Sequence, residues 1–291
     1  MKNINIFCFG FGQVAKNFIK KLNLKKFNIN LSVTSREKTQ IKKIDKISYN
    51  NYQFIDDIFD QNLIKKLKQS DHFLISVPPV SGLDLVIKNF EKIIAECNPK
   101  WITYLSATSV YGDHQGAWVD ELSKTEPTSE NGLSRLASEK SWLIFSNKKK
   151  IPLQIFRLSG IYSNENNILV RLKSGNAKIV NKKNHFFSRI HVEDIANILF
   201  ESLSKFKSGE IYNISDDKPA SPEDVILYGA KILNIKKPKT IEIHDIENKM
   251  FKNFYKDSKK VSNKKMKDFF NYTLKFPTYI EGLNYIKNNS K

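Results

Sequence analysis

Cysteine is scarce in this sequence of 291 residues, and long apolar runs are missing. The two cysteines, Cys8 and Cys97, cannot build a disulfide framework and match no metal-ligand spacing, so no metal site is predicted. Cys8 lies inside the first apolar run, where a buried thiol behaves as a small hydrophobic side chain. No stretch approaches the roughly 18 apolar residues of a membrane span. The sequence therefore predicts a soluble protein of a reducing compartment, the cytoplasm.

Arginine is also rare, although the chain is strongly basic. The 48 lysines and arginines leave a formal net charge of +18, but only five of them are arginine. The lysines are spread along the chain, and neither a zinc-finger spacing nor a basic sheet studded with aromatic residues is present. A positive field attracts anionic small molecules as readily as nucleic acid. We therefore expect a small-molecule partner rather than a nucleic acid.

The apolar residues, which make up 40% of the chain, form short runs that alternate with helical patterns. The runs predict strands at residues 4–9, 29–33, 52–55, 73–77, 101–105, 153–158 and 211–214. The patterns between them predict helices at residues 13–22, 62–67, 85–94 and 129–145. The last helix has Leu133, Leu136, Ala137 and Ile144 at core spacing. Alternation of this kind is typical of an α/β fold with a doubly wound parallel sheet.

A glycine turn follows the first predicted strand and opens the first helix, with the sequence Gly10-Phe11-Gly12-Gln13-Val14-Ala15. Gly10 permits a sharp turn, and Gly12 lets the backbone approach a ligand closely. The small side chain of Ala15 allows the helix to pack tightly on the strand. A pyrophosphate would lie against the free N–H groups at the positive end of the helix, around Gln13 and Val14. The turn therefore predicts a dinucleotide site; the alternative is a tight turn without a ligand.

The end of the second predicted strand indicates which dinucleotide is bound. In an NAD site a carboxylate at this place accepts hydrogen bonds from the ribose hydroxyls. This chain has Thr34-Ser35-Arg36 instead, and hydroxyls with a guanidinium suit the 2′-phosphate of NADP. Glu37, one residue further on, complicates the interpretation. We predict NADP rather than NAD, and we place Val77 and Pro78, at the end of the fourth strand, in the same site.

Several longer motifs accompany the glycine turn. They are Leu105-Ser106-Ala107-Thr108-Ser109-Val110-Tyr111-Gly112-Asp113, Gly116-Ala117-Trp118-Val119-Asp120-Glu121, Arg157-Leu158-Ser159-Gly160-Ile161-Tyr162, Arg189-Ile190-His191-Val192-Glu193-Asp194-Ile195-Ala196 and Tyr212-Asn213-Ile214-Ser215-Asp216. In this order they resemble the motifs of extended short-chain dehydrogenases/reductases. The match is to the atypical members often described as NAD(P)-dependent epimerase/dehydratase-like proteins, and it covers nearly the whole chain.

The resemblance implies a Rossmann domain with a small C-terminal substrate lobe. Residues 1–160 and about 188–216 would form the cofactor domain, and about 161–187 and 217–291 the substrate lobe. The resemblance also implies hydride transfer at nicotinamide, with a tyrosine as acid/base, a lysine four residues later and an upstream serine or threonine. Family members often pair through helices beside the fifth strand, so a homodimer is expected.

The chain departs from the family pattern at all three chemical positions. The tyrosine position is Asn131, the lysine position is Arg135, and the upstream hydroxyl position is Ala107, next to Thr108. Asparagine has no proton that titrates near neutral pH, and arginine does not release its proton. By the same resemblance Arg135 would hold the ribose, while Asn131 and Thr108 would polarise the substrate oxygen by hydrogen bonding.

Other side chains near the fifth strand are candidates to replace the missing groups. His114 would titrate usefully, but we interpret it as a solvated loop histidine. Tyr111 is expected to pack beneath the loop, and Asp120 and Glu121 either fix the loop or meet substrate hydroxyls. We interpret Asp194 as a capping or hydrogen-bonding group rather than a catalytic one.

These observations favour an NADP-dependent oxidoreductase or epimerase-like enzyme that acts on a small carbonyl, hydroxyl or sugar-nucleotide substrate. The retained motifs of the substrate lobe support this reading. The altered chemical positions support an alternative, a catalytically silent NADP-binding sensor or regulatory protein. Neither function involves a membrane.

Overall fold

The computed structural model describes residues 2–248, 252 and 255–289. Its strands are β1 (Asn3–Phe9), β2 (Asn28–Ser35), β3 (Gln40–Ile44), β4 (Ile47–Ile55), β5 (Ile58–Phe59), β6 (His72–Ile75), β7 (Trp101–Ala107), β8 (Trp118–Val119), β9 (Gln154–Leu158), β10 (Gly160–Tyr162), β11 (Ile179–Val180), β12 (Arg189–His191), β13 (Ile211–Ile214), β14 (Thr240–Ile241) and β15 (Lys260–Val261). Its α-helices are α1 (Gln13–Leu24), α2 (Leu63–Leu67), α3 (Leu85–Glu96), α4 (Glu130–Lys149), α5 (Ile168–Lys173), α6 (Val192–Glu201), α7 (Pro222–Leu233), α8 (Lys264–Phe270) and α9 (Tyr279–Asn289). Single 3-10 turns cover Thr108–Tyr111 and Ile243–Asp245. Within the described ranges, no helix has the length and apolar character needed to cross a membrane.

The central sheet has the strand order β13-β9-β7-β6-β1-β2-β4-β3, with β5 paired to β4. Strand β1 pairs in parallel with β2 on one side and with β6 on the other. The pairs β6–β7 and β2–β4 are also parallel. The order of connection reverses at β1, and in such sheets ligands bind beyond the carboxyl ends of the strands at the reversal. The predicted α/β fold with a doubly wound, mostly parallel sheet is therefore confirmed.

The edge of this sheet contains a strand that the sequence analysis does not predict. Strand β3 runs antiparallel to β4, with Ile44 opposite Ile47. Its residues are exposed or half-buried, and Ile41 is 75% exposed. Because an edge strand that buries neither face has no apolar alternation, the pattern gives no signal there. Strand β4 begins at Ile47 rather than at Tyr52 as predicted.

Aromatic residues fill the core beneath the central strands. Phe7 and Phe9 of β1, Phe73 of β6 and Phe90 of α3 are all fully buried. The ring centroids of Phe9 and Phe90 are 5.2 Å apart. Each such side chain stabilises the fold by about 1.5–3 kcal/mol through the apolar area that it buries. Burial on both faces of the parallel strands explains why β1 and β6 appear in the sequence as continuous apolar runs.

The predicted core face of helix α4 is wrong, although the helix itself is confirmed. Leu133 is 55% exposed and Ile144 is 67% exposed, while Trp142 and Glu139 are buried. The Glu139 carboxylate accepts hydrogen bonds from Nε and Nη2 of Arg157 on β9, at 3.0 and 2.7 Å. This ion pair lets a charged residue occupy the face that an apolar residue would be expected to fill.

The described chain divides into two compact units. The first comprises the chain up to Ala107 together with Leu133–Arg157 and Ile195–Tyr212 and holds most of the central sheet. The second comprises Thr108–Gly132, Leu158–Asp194 and the chain from Asn213 onward. It contains the small parallel pair β10–β12 and the helices α5, α7, α8 and α9. The division into a cofactor domain and a substrate lobe at the boundaries given above remains a prediction.

Asp194 organises part of the second unit. Its fully buried carboxylate accepts hydrogen bonds from the Tyr272 hydroxyl at 2.7 Å and from the N–H groups of Lys275 and Phe276 at 2.7 and 3.0 Å. These three hydrogen bonds satisfy both carboxylate oxygens, which explains why a carboxylate can be buried there. The predicted hydrogen-bonding role of Asp194 is confirmed.

The buried ion pair gives the first testable prediction. Glu139→Ala removes the carboxylate that binds the buried Arg157 guanidinium, so the free energy of unfolding should fall by about 3–5 kcal/mol. The matched control is Asp268→Ala, which removes an exposed i,i+4 pair with Lys264 and should cost about 0.5 kcal/mol or less. Urea denaturation measures both. Equal, small losses for the two variants would contradict the account.

Candidate functional site

The turn after β1 depends on glycine at position 10. Gly10 has a φ of +84°, and a Cβ there would lie 2.7 Å from the Ser76 Oγ and 3.2 Å from the Val77 nitrogen. The Gly10 N–H donates to the Thr34 Oγ1 at 2.9 Å. The Ser76 hydroxyl lies 3.0 Å from the carbonyl oxygens of Phe9 and of Gly10. The ends of β1, β2 and β6 are thus tied together at one point.

The start of helix α1 lies open beside this turn. Gly12 precedes the helix, has a φ of −84° and offers no side chain to cap it. A Cβ on Gly12 would meet nothing within 4 Å. The first N–H groups of a helix, here those of Gln13 and Val14, have no intrahelical acceptor and carry the positive end of the helix dipole. This open, donor-rich cradle fits the pyrophosphate of a dinucleotide.

The end of β2 separates the roles of its polar residues. Thr34 is buried and its hydroxyl accepts the Gly10 N–H, so this side chain is engaged within the turn; its part in binding a 2′-phosphate stays a prediction. The Ser35 Oγ accepts the N–H of Glu37 at 3.2 Å and keeps its own hydrogen for donation. Arg36 is exposed, and its guanidinium has no partner among the described residues. The Glu37 carboxylate is paired with Lys42 on β3, so its charge is compensated.

The loop after β6 contains the two further residues predicted for the cofactor site. Val77 is half-buried and Pro78 is exposed. The loop is held from helix α4, because the Gly82 N–H donates to the Ser134 Oγ at 3.1 Å. These contacts place the loop beside the carboxyl ends of β1 and β6, where the glycine turn lies.

Asp84 joins this loop to two helices. Its carboxylate caps α3 by accepting the N–H groups of Val86 and Ile87 at 3.0 Å each. It also accepts the indole N–H of Trp142, on α4, at 2.9 Å. Burial raises the pKa of Asp84 above its ordinary value, although these three donors and the positive charge of Arg135 oppose the shift.

Helix α4 carries Asn131 and Arg135 one turn apart. Asn131 is exposed. The Arg135 Nη1 donates to the carbonyl oxygen of Leu105 at 2.7 Å and lies 3.4 Å from the Tyr104 hydroxyl. Burial raises the pKa of Tyr104 to about 12, so this tyrosine is not an acid or base near neutral pH. Arg135 keeps its Nε and Nη2 donors, which have no hydrogen-bond partner in the described part of the chain.

Thr108 follows β7 directly and begins a 3-10 turn that ends at Tyr111. Its side chain is buried, at 8% exposure. Its predicted contact with substrate is not tested by these observations and stays a prediction, as do the roles of Asn131 and Arg135.

The other candidate residues lie in the loop that follows β7, and their contacts hold that loop together. Tyr111 is fully buried, as expected, and its hydroxyl donates to the Asn213 Oδ1 at 2.7 Å. His114 Nε2 lies 3.1 Å from the carbonyl oxygen of Tyr111. Asp120 accepts a backbone N–H two residues later, and Glu121 accepts the Asn213 N–H at 2.7 Å. Among the possibilities left open for Asp120 and Glu121, fixing the loop is the one that these contacts favour.

A cavity of about 310 Å³ lies within the second unit. Its wall brings together segments that are distant in sequence, from Gly160 to Leu283. Three cationic side chains, those of Arg171, Lys178 and Arg189, line it. No sequence pattern indicates this cavity, because no single segment carries its lining. Among the described residues no group of three or more His, Cys, Asp or Glu is placed to hold a metal ion.

Comparison with known proteins agrees with this architecture. Residues 88–215 match the NAD dependent epimerase/dehydratase family. A functionally unknown conserved protein from Silicibacter pomeroyi is 31% identical, covers 99% of both chains and has a TM-score of 0.85. No curated protein matches the sequence. The chain belongs to the NAD dependent epimerase/dehydratase family, which confirms the family that its motifs resemble.

More distant solved structures share the fold. MoeE5, solved with UDP-glucuronic acid and NAD, is 17% identical, covers 99% of this chain and 100% of its own, and has a TM-score of 0.79. The UDP-N-acetylglucosamine 4-epimerase from Bacillus cereus is 17% identical with the same coverage and a TM-score of 0.74. At this identity the likeness concerns the fold alone.

The two glycines of the turn give a testable contrast. Gly10→Ala forces a positive φ on alanine and a clash with Ser76, so the free energy of unfolding should fall by about 1–3 kcal/mol. Gly12→Ala meets no atom and should change it by about 0.5 kcal/mol or less. Because its methyl group occupies the open cradle, the folded Gly12→Ala protein should nevertheless lose dinucleotide binding. Thermal denaturation and calorimetric titration measure the two effects; unimpaired binding by Gly12→Ala would count against the cradle.

Proposed function

We propose that this chain is an NADP(H)-dependent oxidoreductase or epimerase-like enzyme that acts on a small carbonyl, hydroxyl or sugar-nucleotide substrate. The observation that carries the proposal is the exposed, unpaired guanidinium of Arg36 beside Ser35, at the same sheet edge as the open start of α1. A 2′-phosphate needs cationic and hydroxyl donors, and the nearby carboxylate of Glu37 is compensated by Lys42. MoeE5 and a UDP-glucuronic acid 4-epimerase are relatives solved with NAD, which makes NADP a specific claim about this chain.

The chain's own residues would bind and orient rather than transfer protons. The N–H groups at the start of α1 hold the pyrophosphate, Val77 and Pro78 border it, and the free donors of Arg135 hold a ribose hydroxyl. The nicotinamide supplies a hydride donor or acceptor when it is bound. Asn131 and Thr108 donate hydrogen bonds to the substrate oxygen and stabilise negative charge that develops on it.

A second function is supported by the same residues. Asn131 has no titrating proton, and one donor of Arg135 is bound to the Leu105 carbonyl. Positioned acids and bases contribute roughly a hundred- to ten-thousand-fold in rate, and this chain lacks the usual pair. A catalytically silent NADP(H)-binding sensor is therefore the competing proposal. The cytoplasmic location and the pairing with a second copy remain predictions under either function.

Cofactor preference provides a direct test. Arg36→Ala removes the cation proposed to bind the 2′-phosphate, so NADPH affinity should fall about ten- to a hundredfold while NADH affinity changes little. Lys46→Ala removes the same charge from the turn between β3 and β4 and is the matched control. Calorimetric titration with both dinucleotides measures the change. If Arg36→Ala lowers the affinity for both dinucleotides equally, or for neither, NADP specificity at this position is refuted.

Turnover separates the enzyme from the sensor. With NADPH and a panel of aldehydes and ketones, an oxidoreductase should oxidise NADPH, which its absorbance follows. With NADP+ and a panel of UDP-sugars, an epimerase-like enzyme should convert the sugar without a net change in the cofactor, which chromatography of the UDP-sugars detects. Asn131→Ala should then lower kcat about tenfold or more without changing NADPH affinity, because it removes a hydrogen bond made to the substrate. Lys140→Ala, exposed on the same helix, is the control. Tight NADPH binding without turnover of any panel member would favour the sensor.

A further inference from the structure

Arg189 supplies the central charge of the cavity in the second unit. Its Nη1 donates to the carbonyl oxygens of Phe187 and Ala220 at 2.8 and 3.1 Å. Within residues 2–248, 252 and 255–289, no group accepts a hydrogen bond from its Nε or Nη2. These two nitrogens are also not among the fully enclosed, unbonded atoms of the described chain, so they remain accessible from the cavity that Arg189 lines. The guanidinium is anchored at one nitrogen and keeps a donor edge for a ligand.

The charged side chains of the cavity wall around this donor edge are all cationic. Burial lowers the pKa of Arg189 to about 10, so the side chain stays cationic at neutral pH. Arg171 and Lys178 also line the cavity and are exposed. None of the described lining residues is a carboxylate. Asp216 attracts Arg189 but does not line the cavity, and burial raises its own pKa well above the ordinary value.

The rest of the wall is mainly apolar. Ile161, Ile168, Val225, Ile226 and Leu283 contribute side chains to it. The Phe187 ring lies against the Arg189 guanidinium, 5.2 Å from its centroid. A wall of this kind stabilises an apolar group that leaves water.

Asn167, a polar lining residue, is already engaged. Its amide caps α5 by accepting the N–H groups of Leu169 and Val170, and it donates to the carbonyls of Ser163 and Asn164. The Tyr162 hydroxyl lies 3.5 Å from the carbonyl oxygen of Thr278. These two side chains therefore offer few free partners to a ligand rich in hydroxyl groups, and any ligand hydroxyl left unpaired would weaken binding.

We propose that this cavity binds an acid with a compact apolar body, its carboxylate or phosphate against Arg189 and its apolar part against the aliphatic wall. A volume of about 310 Å³ is near the lower end of the roughly 300–1,000 Å³ typical of small-molecule sites. A cavity of this size can hold a ligand that consists of one ring or one branched chain together with its acid group. The inference rests on the proposed function, for which it names the substrate class, and it separates this chain from relatives solved with UDP-sugars.

Four probes and a rival ligand test the chemistry by calorimetric titration, with and without NADPH. The probes are 3-phenylpropionate, 2-phenylethyl phosphate, the neutral 3-phenylpropionamide and inorganic phosphate, and the rival is UDP-glucose. At least one aromatic acid should bind about ten- to a hundredfold more tightly than the amide and than inorganic phosphate. Comparison of the carboxylate with the phosphate identifies which acid group is preferred. Tighter binding of UDP-glucose than of either acid would overturn the proposal.

Variants locate the binding. Arg189→Gln should lower the affinity for the preferred acid about ten- to a hundredfold and leave the affinity for 3-phenylpropionamide unchanged. Val225→Phe reduces the volume of the cavity and leaves residue 189 as arginine, so it tests the location of binding if Arg189→Gln does not fold. Lys178→Ser should lower the affinity for the acid a few-fold. Lys173 belongs to the same unit but does not line the cavity, so Lys173→Ser should leave that affinity unchanged.

The outcomes for the two proposals are distinguishable because NADPH binding is measured in the same samples. If NADPH binds but no acid does, or if acid binding survives both Arg189→Gln and Val225→Phe, the substrate class is wrong while the cofactor proposal stands. If the acid binds at the cavity but NADPH does not bind, the cavity assignment stands and the proposed function fails.

Discussion

The backbone at Gly10 is the constraint on which the proposed cofactor site depends. Only a residue without Cβ fits its positive φ against Ser76, and the hydroxyls of Thr34 and Ser76 tie the ends of β2 and β6 to it. This arrangement fixes the place where the sheet reverses its order of connection. Gly12 then leaves the start of α1 open, so that unpaired N–H groups rather than charged side chains form the centre of the proposed site.

Binding and chemistry are separate properties in this chain. The turn and the Arg36 side chain offer donors that suit a dinucleotide, whereas Asn131 and Arg135 stand where the family resemblance implies groups that exchange protons. Tyr104, close to Arg135, does not substitute for them, because burial raises its pKa to about 12. What remains is a set of fixed hydrogen-bond donors, which can orient a substrate and stabilise charge without titrating near neutral pH.

Features that arise from contiguous residues are the ones that sequence predicts here. Strand β1, the glycine turn and helix α1 follow one another, and each is confirmed. The face of α4 is mispredicted because Glu139 is buried by an ion pair with Arg157, which lies on a different strand. The bond from Gly10 to the Thr34 hydroxyl joins residues 24 positions apart, so no local pattern predicts it. The cavity at Arg189 collects its wall from distant segments, so no local pattern could reveal it.

The central claim is that the glycine turn and the end of β2 together select NADP(H). Native mass spectrometry of the purified chain with equal amounts of NADPH and NADH tests it most directly, because it counts both complexes in one spectrum. The account predicts a complex with one NADPH per chain that greatly exceeds the NADH complex. Equal occupancy by the two dinucleotides, a preference for NADH, or no bound dinucleotide at all would contradict it.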